Sequence, residues 1–229
     1  MRYKRGQIVG VPLCDKETIV ETNEKLIVKR EILQIEINKD GDKTVAVIMM
    51  NPSEADSIKS DGTVNRVIAF FLKPFQRPLN ERNRRIEDIK HLNILNLLPI
   101  YNPRSKGLLD DLSTIIAEHY DEYLHLLLES NIQKNLETIR TSDYVVLAWG
   151  MPENFPLTLY YKQVSKVLEA VISFDKEIFV FRVRNSKARY HITKHLNPPH
   201  PSRCKLLRLV RVDVKLFYRI VPRGFRDEL

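Results

Sequence analysis

Four short apolar segments, alternating with longer segments of helical spacing, most strongly limit what this sequence can fold into. Residues 44–50 are almost continuously apolar, which is typical of a strand covered on both faces. The three comparable runs are residues 91–100, 144–150 and 177–183. Residues 62–75 and 112–140 have helical spacing. This alternation predicts a three-layer α/β/α fold with a mainly parallel central sheet.

The longer helical segment, residues 112–140, is amphipathic and is expected to pack one face against the sheet. Five residues are predicted to lie close to that face: Ile115, His119, Tyr123, Leu126 and Leu127.

The N-terminal region carries the pattern of a β-hairpin. Two runs rich in apolar and β-branched residues, 25–37 and 44–50, flank an Asp-Gly pair in the segment NKDGDK. Asp-Gly between two such runs is a favoured hairpin turn. The sequence therefore predicts an N-terminal β-hairpin.

One α/β domain is the expected organisation of residues 1–229. Its predicted parts are an N-terminal β extension at 1–42, a core at 43–204 and a C-terminal extension at 205–229. Residues 206–220 alternate as in a strand, with charged side chains on one side. That strand either extends the sheet or lies over a nucleic-acid-binding face.

Charge and composition narrow the classes of function. The formal net charge of +8 and the pI near 9.4 favour a polyanionic partner, for which DNA is the obvious candidate. Cys14 and Cys204 match no metal-binding spacing, so we expect no metal site and no cofactor. No segment approaches the length of a signal peptide core or a membrane span. We therefore expect a cytoplasmic protein without a membrane partner.

Polar or conformationally special residues follow every predicted core strand. In parallel sheets, ligands bind beyond the carboxyl ends of the strands. The four segments at these positions are NPSEAD, NLLPIYNPR, AWGMPENF and NPPHPSR. The sequence thus predicts a functional site along this edge.

The first of these segments offers an amide and two carboxylates. The Asn51 amide suits orienting a water molecule or reading a polar ligand, and an Asx turn is the alternative. Asp56 and Asp61 either bind a cation or cap the helix that starts near Thr63, and capping is the commoner use.

Three further candidates have both a core and a functional interpretation. Asn96 lies inside an apolar strand and either satisfies backbone groups or faces a pocket. Trp149 precedes a glycine at a strand end, where a core position is commoner than a ligand contact. Phe70 is either a core residue or an aromatic ring on which a base stacks.

His200 is the strongest single candidate for catalysis. Pro198, Pro199 and Pro201 stiffen the loop that carries it. A neutral imidazole in a rigid loop can donate a hydrogen bond to charge that develops on a leaving group. Ser202 and Arg203, which follow, are candidates for binding a phosphate. A plain surface turn is the alternative. 

Taken in order, the segments MMNPS, ILNLL, VVLAWG and PPHPSR resemble the motifs of the uracil-DNA glycosylase superfamily. The resemblance covers roughly residues 44–204. A closer likeness is to a family of bacterial and phage proteins with N-P-S-x-A-D, D-x-T-x-x-R, an N-L strand and A-W-G. Here NPSEADSIKSDGTVNR, LNLLP and AWG match that pattern.

The resemblance implies a role for each matching residue. Asn51 would position the attacking water, Asn96 would read a flipped base, and His200 would stabilise the departing base. Ser53 and Ser202 would contact phosphates. The implied function is hydrolysis of the N-glycosidic bond of a damaged or modified base in DNA.

Two other functions fit the same sequence. One is a non-catalytic module that binds nucleic acid or a nucleotide, and the other is a nucleoside or nucleotide hydrolase. Convergence of basic side chains on the pocket would favour a polymer substrate over a small molecule. The side chains concerned are Arg104, Lys106, Arg184, Lys187 and Arg203.

Overall fold

Eleven strands and three α-helices make up the described part of the protein. The computed structural model describes residues 1–73, 88–103, 107–152, 154–202 and 204–223. The strands are β1 (Val9–Cys14), β2 (Glu17–Glu21), β3 (Leu26–Lys29), β4 (Ile32–Glu36), β5 (Lys43–Met49), β6 (Ile89–Asn96), β7 (Tyr144–Leu147), β8 (Glu177–Arg184), β9 (Arg189–Tyr190), β10 (Lys205–Lys215) and β11 (Arg219–Pro222). The helices are α1 (Gly62–Phe71), α2 (Leu108–Thr141) and α3 (Leu157–Ser173).

The main sheet has the order β1-β4-β6-β5-β7-β8-β10-β11, with β9 paired to β8. Its four central strands, β6, β5, β7 and β8, are parallel, and every strand outside them pairs antiparallel. The α/β class is therefore confirmed, but the sheet is mixed rather than mainly parallel. Long crossovers, which parallel neighbours require, connect only the central strands, whereas β10 and β11 are joined by a short turn.

Helices cover both faces of the central strands. On one face, Val64 and Val67 of α1 share an apolar core with Val45 and Val47 of β5. On the other face, α2 and α3 pack over Ile48 and the neighbouring strands. Side chains alternate between the two faces of a strand, so both sets of β5 side chains are buried. This burial explains why residues 44–50 are almost continuously apolar.

The predicted hairpin between residues 25–37 and 44–50 is wrong. Strand β6 lies between β4 and β5 and pairs with both. At the Asp-Gly pair, the Asp42 and Lys43 amides donate to the Asp88 carbonyl, at 3.0 and 2.9 Å. A Cβ atom on Gly41 would lie 2.6 Å from that same oxygen. Gly41 therefore allows close approach to β6 rather than a hairpin turn.

A different hairpin forms at the N-terminus. Residues 25–37 contain two strands, β3 and β4, and β3 pairs with β2 as a separate two-stranded sheet. β4 instead joins the main sheet between β1 and β6. At the other end of the chain, β10 pairs with β8, so the alternating residues 206–220 extend the sheet.

A backbone irregularity changes the buried face of α2. Tyr120 has φ +67° and ψ 170°, which interrupts the helix. Ile115 and Leu127 are buried as predicted, but Leu126 is 70% exposed. The interruption shifts the helical phase, so a single periodicity across residues 112–140 does not identify the buried side chains. No α-helix in the described ranges has the length and hydropathy needed to cross a bilayer.

Candidate functional site at the switch point of the sheet

The switch point of the parallel strands lies between β5 and β7. From β5 the chain crosses to β6 on one side and then returns to β7 on the other side. Such points open a crevice at the carboxyl ends of the strands, where ligands bind. The segments that leave these ends are residues 50–61 and 148–156. The proline-rich loop, residues 197–202, reaches the same place, because the Gly150 amide donates to the Pro198 carbonyl at 3.0 Å.

Gly150 fits the proline-rich loop against the end of β7. Its φ of +69° is in the region that favours glycine, and an added Cβ atom would lie 2.9 Å from the Cβ of His200. Tyr160 of α3 supports the turn by donating its hydroxyl hydrogen to the Gly150 carbonyl at 2.6 Å. Trp149 is 1% exposed and belongs to the core, in agreement with its core interpretation.

The contacts of His200 define its tautomer. The Ser202 amide, which can only donate, points at Nδ1 of His200 from 3.2 Å, and the Ser202 Oγ lies 2.8 Å from the same nitrogen. Nδ1 is therefore an acceptor, and the neutral ring carries its proton on Nε2. Burial lowers the pKa of His200 to about 4, an effect that Arg66 strengthens and Asp61 opposes. The ring is thus neutral at pH 7 and holds one N–H donor.

Helix α1 contacts the proline-rich loop on the side away from Gly150. Arg66 Nη1 donates to the Pro201 carbonyl at 2.9 Å. Asp61 caps the helix, because its Oδ1 accepts from the Thr63 and Val64 amides at 2.7 and 2.8 Å. The Ser53 hydroxyl donates to the other oxygen of Asp61. The structure thus supports the capping interpretation of Asp61 and places Ser53 on the cap.

The Asn51 side chain forms hydrogen bonds that connect the segments after β5 and β6. Its Nδ2 donates to the Asn102 carbonyl at 2.8 Å and to the Pro52 carbonyl at 3.0 Å. Asn102 lies on the loop after β6, so the side chain links the loops after β5 and β6. Its assignment to a water molecule remains a prediction.

Asn96 belongs to a buried network that the sequence analysis missed. Its side chain is fully buried, and its Oδ1 accepts from Nη2 of Arg30 at 2.8 Å. Arg30 is 1% exposed and also donates from Nη1 to the Ala55 carbonyl at 2.6 Å. The Tyr101 ring lies beneath the guanidinium, 5.5 Å from its carbon. Arg30 forms no ion pair with any residue that the structure describes.

The two remaining candidates have clear structural roles. Asp56 closes a turn by accepting from the Ile58 and Lys59 amides at 2.9 and 2.7 Å. These hydrogen bonds, opposed by burial, hold its pKa below the usual value. Phe70 is 5% exposed and packs edge-on against Phe181, with ring centroids 5.2 Å apart.

One cavity of about 260 Å³ lies beside the proline-rich loop. Its lining consists of Arg66, Ala69, Phe70, Lys73, Cys204, Lys205 and Leu206. Arg66 and Cys204 connect it to the loop, since the Cys204 thiol donates to the His200 carbonyl at 3.5 Å. The walls combine an aromatic ring with three basic side chains, a lining suited to an aromatic, negatively charged ligand.

Some predicted residues lie outside the described ranges. These are Arg203, Arg104 and Lys106. Arg184 ends β8 and Lys187 lies in the turn that follows. Within the described ranges, no group of three or more His, Cys, Asp or Glu side chains could hold a metal ion.

A neutral, partly buried histidine makes stability depend on pH. The pKa of His200 is about 4 in the folded protein and 6.5 in the unfolded chain. As pH falls, the unfolded chain therefore binds the proton first. The loss of stability is absent at pH 7, grows below pH 6.5 and is complete only below pH 4. We expect it to reach about 3 kcal/mol near pH 4.

Urea unfolding of His200→Gln at pH 7 and near pH 4 measures this loss. The variant should lose about 3 kcal/mol less stability between these pH values than the unsubstituted protein does. His125→Gln, at an exposed position of α2, is the matched control and should behave like the unsubstituted protein. Equal pH dependence in all three proteins would contradict a neutral His200.

The fold and the site define an α/β protein that holds a neutral histidine at the switch point of a mixed sheet. The model of a protein family of unknown function, DUF1643, matches residues 30–202, and the chain belongs to this family. The match extends from Arg30 to Ser202 and so includes His200. No curated protein and no solved structure matches the chain.

Three site residues were not singled out from the sequence. Arg66 was present in the quoted pattern D-x-T-x-x-R, and its spacing from Asp61 places it one turn into α1. Gly150 was present in A-W-G. No sequence pattern indicated that Arg30 is buried, because a lysine or arginine beside a strand is ordinarily exposed.

Proposed function

We propose that the protein is a DNA glycosylase-like hydrolase with a uracil-DNA glycosylase-like core. It would cleave the N-glycosidic bond of a damaged or modified base that has been flipped out of DNA. The observation that carries the proposal is the state of His200. A neutral ring, with its Nδ1 occupied by Ser202, offers a single Nε2–H donor at the switch point of the sheet.

The reaction needs a donor of this kind. As the bond between C1′ of the sugar and the base nitrogen breaks, its electron pair moves to the base and positive charge develops on the sugar. A preorganised N–H group stabilises the negative charge on the base without reorganising solvent. Water then adds its oxygen to C1′ and loses a proton, and the base takes up a proton as it leaves. Burial keeps His200 neutral in the free protein, although the Asp61 carboxylate favours its charged form.

The neighbouring residues have matching proposed roles. Asn51 would orient the attacking water, and the Asn96 Nδ2, which has no partner among the described residues, would donate to the edge of the base. The cavity beside the loop would take the base, with Phe70 as its aromatic wall. Ser53, Ser202 and Arg203 would contact the DNA phosphates.

A base-release assay tests the proposal. The protein is incubated with duplex and single-stranded oligonucleotides that carry uracil, hypoxanthine or 5-hydroxymethyluracil. Alkali cleavage locates abasic sites, and mass spectrometry identifies the released base. Release of at least one base is the expected result. Binding of the oligonucleotides without release from any of them would instead favour a non-catalytic nucleic-acid-binding module.

The same assay separates the third function. Free nucleosides and nucleotides with the same bases are supplied in place of oligonucleotides, and the free base is measured by mass spectrometry. Hydrolysis of these small molecules without release from DNA would favour a nucleoside or nucleotide hydrolase and would exclude the glycosylase.

A further inference from the structure

Strands β8 and β10 place two arginines directly opposite each other. The pairing register aligns Arg208 with Arg182. Like charges in this position destabilise a sheet. At the other end of the same two strands, Arg211 forms an ion pair with Glu177 at 2.7 Å. Within the described residues, Arg182 and Arg208 form neither an ion pair nor a side-chain hydrogen bond.

Both guanidinium groups are partly withdrawn from water. The Nε atoms of Arg182 and Arg208 are buried and have no hydrogen-bond partner in the described chain. Burial, together with the charge of Arg182, lowers the pKa of Arg208. Buried donors are nearly always satisfied in folded proteins, so two unsatisfied donors on adjacent strands need an explanation.

His191 is a third member of this cluster. Strand β9 pairs antiparallel with β8, with Tyr190 opposite Val183, so the next residue, His191, follows beside Arg182. Burial and the charges of Arg182 and Arg208 lower the pKa of His191. Val180 packs into the core beneath α2 and α3, and side chains alternate along β8. Arg182 and Arg184 therefore lie on that same face of the sheet.

Exposed cations continue the cluster to the edge of the sheet. Arg184 pairs with Lys205 on β10 and with Arg189 on β9. All three side chains are exposed. β10 begins at Lys205, shortly after Ser202, so these cations lie at the same edge as the proline-rich loop. Lys205 also lines the cavity beside that loop.

We propose that Arg182 and Arg208, together with His191, form an anion site that binds a phosphate group. The planar fork of arginine matches phosphate geometry, and the ligand would supply the negative charge that the described side chains do not. The phosphate belongs either to a nucleic-acid backbone or to a free nucleotide. This inference deepens the proposed function by assigning a phosphate contact near the carboxyl end of β8, and it rests on that function only for the choice of DNA as ligand.

The double variant Arg182→Gln, Arg208→Gln tests the site. Binding of a fluorescent oligonucleotide is followed by anisotropy over a range of salt concentrations. We expect affinity to fall about tenfold or more and the logarithmic salt dependence to lose a slope of about 1, because one phosphate contact is lost. Arg211→Gln is the matched control on β10. It removes an arginine that already has a carboxylate partner and should bind as the unsubstituted protein does.

A second arm identifies the source of the phosphate. Thermal unfolding is measured with inorganic phosphate and with a nucleoside triphosphate, since a ligand that binds the folded state raises Tm. Protection that disappears in the double variant, with oligonucleotide affinity unchanged, would support the site and assign it to free nucleotides. Loss of oligonucleotide affinity assigns it to a nucleic-acid backbone.

The Tm of the double variant without ligand shows whether it folds normally. Without ligand, removal of two opposed positive charges should leave Tm unchanged or raise it. Unchanged binding of the oligonucleotide, phosphate and triphosphate in the double variant would overturn the site. Weaker phosphate or oligonucleotide binding by the double variant, without base release from any substrate, would support the anion site and reject the glycosylase. Base release with unchanged ligand binding in the double variant would support the glycosylase and reject the anion site.

Discussion

Replacing His200 with alanine is expected to lower the rate of base release at least about 100-fold. Under the proposed function, the Nε2–H group donates to the base as the glycosidic bond breaks, and alanine offers no donor. Alanine keeps the Cβ atom that lies against Gly150, so the packing of the loop is retained. Single-turnover rates at saturating protein concentration measure the chemical step separately from DNA binding.

Two controls make this result specific. His125→Ala changes an exposed histidine of α2 and should leave the rate unchanged. DNA affinity of His200→Ala should stay within a few-fold of the unsubstituted protein, as about a tenfold change would indicate a disturbed binding surface. Asn51→Ala is a less selective probe, because its amide also fastens the loop after β6. An undiminished rate in His200→Ala would falsify the catalytic assignment.

Replacing Arg30 with methionine is expected to lower the free energy of unfolding by about 3 kcal/mol. The change leaves the Asn96 Oδ1 without its only donor in the described chain. The Ala55 carbonyl loses its guanidinium donor but still accepts from the Tyr101 hydroxyl at 2.7 Å. Losing such buried hydrogen bonds costs about 1–3 kcal/mol each. Relief from burying a charge offsets part of this loss. Urea unfolding, followed by circular dichroism, measures the difference.

Arg30→Lys and Arg219→Met separate the contributions. Lysine keeps the charge but has no planar fork to reach both acceptors, so we expect a loss of about 1–2 kcal/mol. Arg219 is exposed on β11, and its replacement should change stability by less than about 0.5 kcal/mol. If Arg30→Met equals or exceeds the unsubstituted protein in stability, desolvation of the arginine outweighs its hydrogen bonds.

The central strands were predictable because their sequences report burial on both faces. β5 through β8 follow the predicted runs closely, and the helices between them cover both sides as expected. The pairing of β4 was not predictable from local pattern. An Asp-Gly pair has the same appearance in a hairpin and beside a neighbouring strand, and only the contact of Gly41 with Asp88 distinguishes the two. That contact joins residues far apart in sequence.

In the candidate site too, some features could be predicted from local sequence and others could not. The prolines mark the rigid loop of His200, and the spacing of Asp61 from Thr63 marks a helix cap, so both could be identified locally. The environment of Asn96 could not be identified from local sequence. Its partner is Arg30, which is 66 positions away in the chain and is buried against the usual preference of arginine. A sequence pattern identifies the residue, whereas its partner depends on strand order.

The contact between Gly150 and His200 links assembly of the site to completion of the sheet. The proline-rich loop rests on the end of β7 and leads directly into β10, which must pair with β8. His200 therefore cannot reach its position until strands from the middle and the end of the chain have come together. Contacts of such long range form late and slowly in folding. A nascent or truncated chain that lacks β10 would therefore have no ordered His200 donor, so any activity should emerge only with the complete sheet.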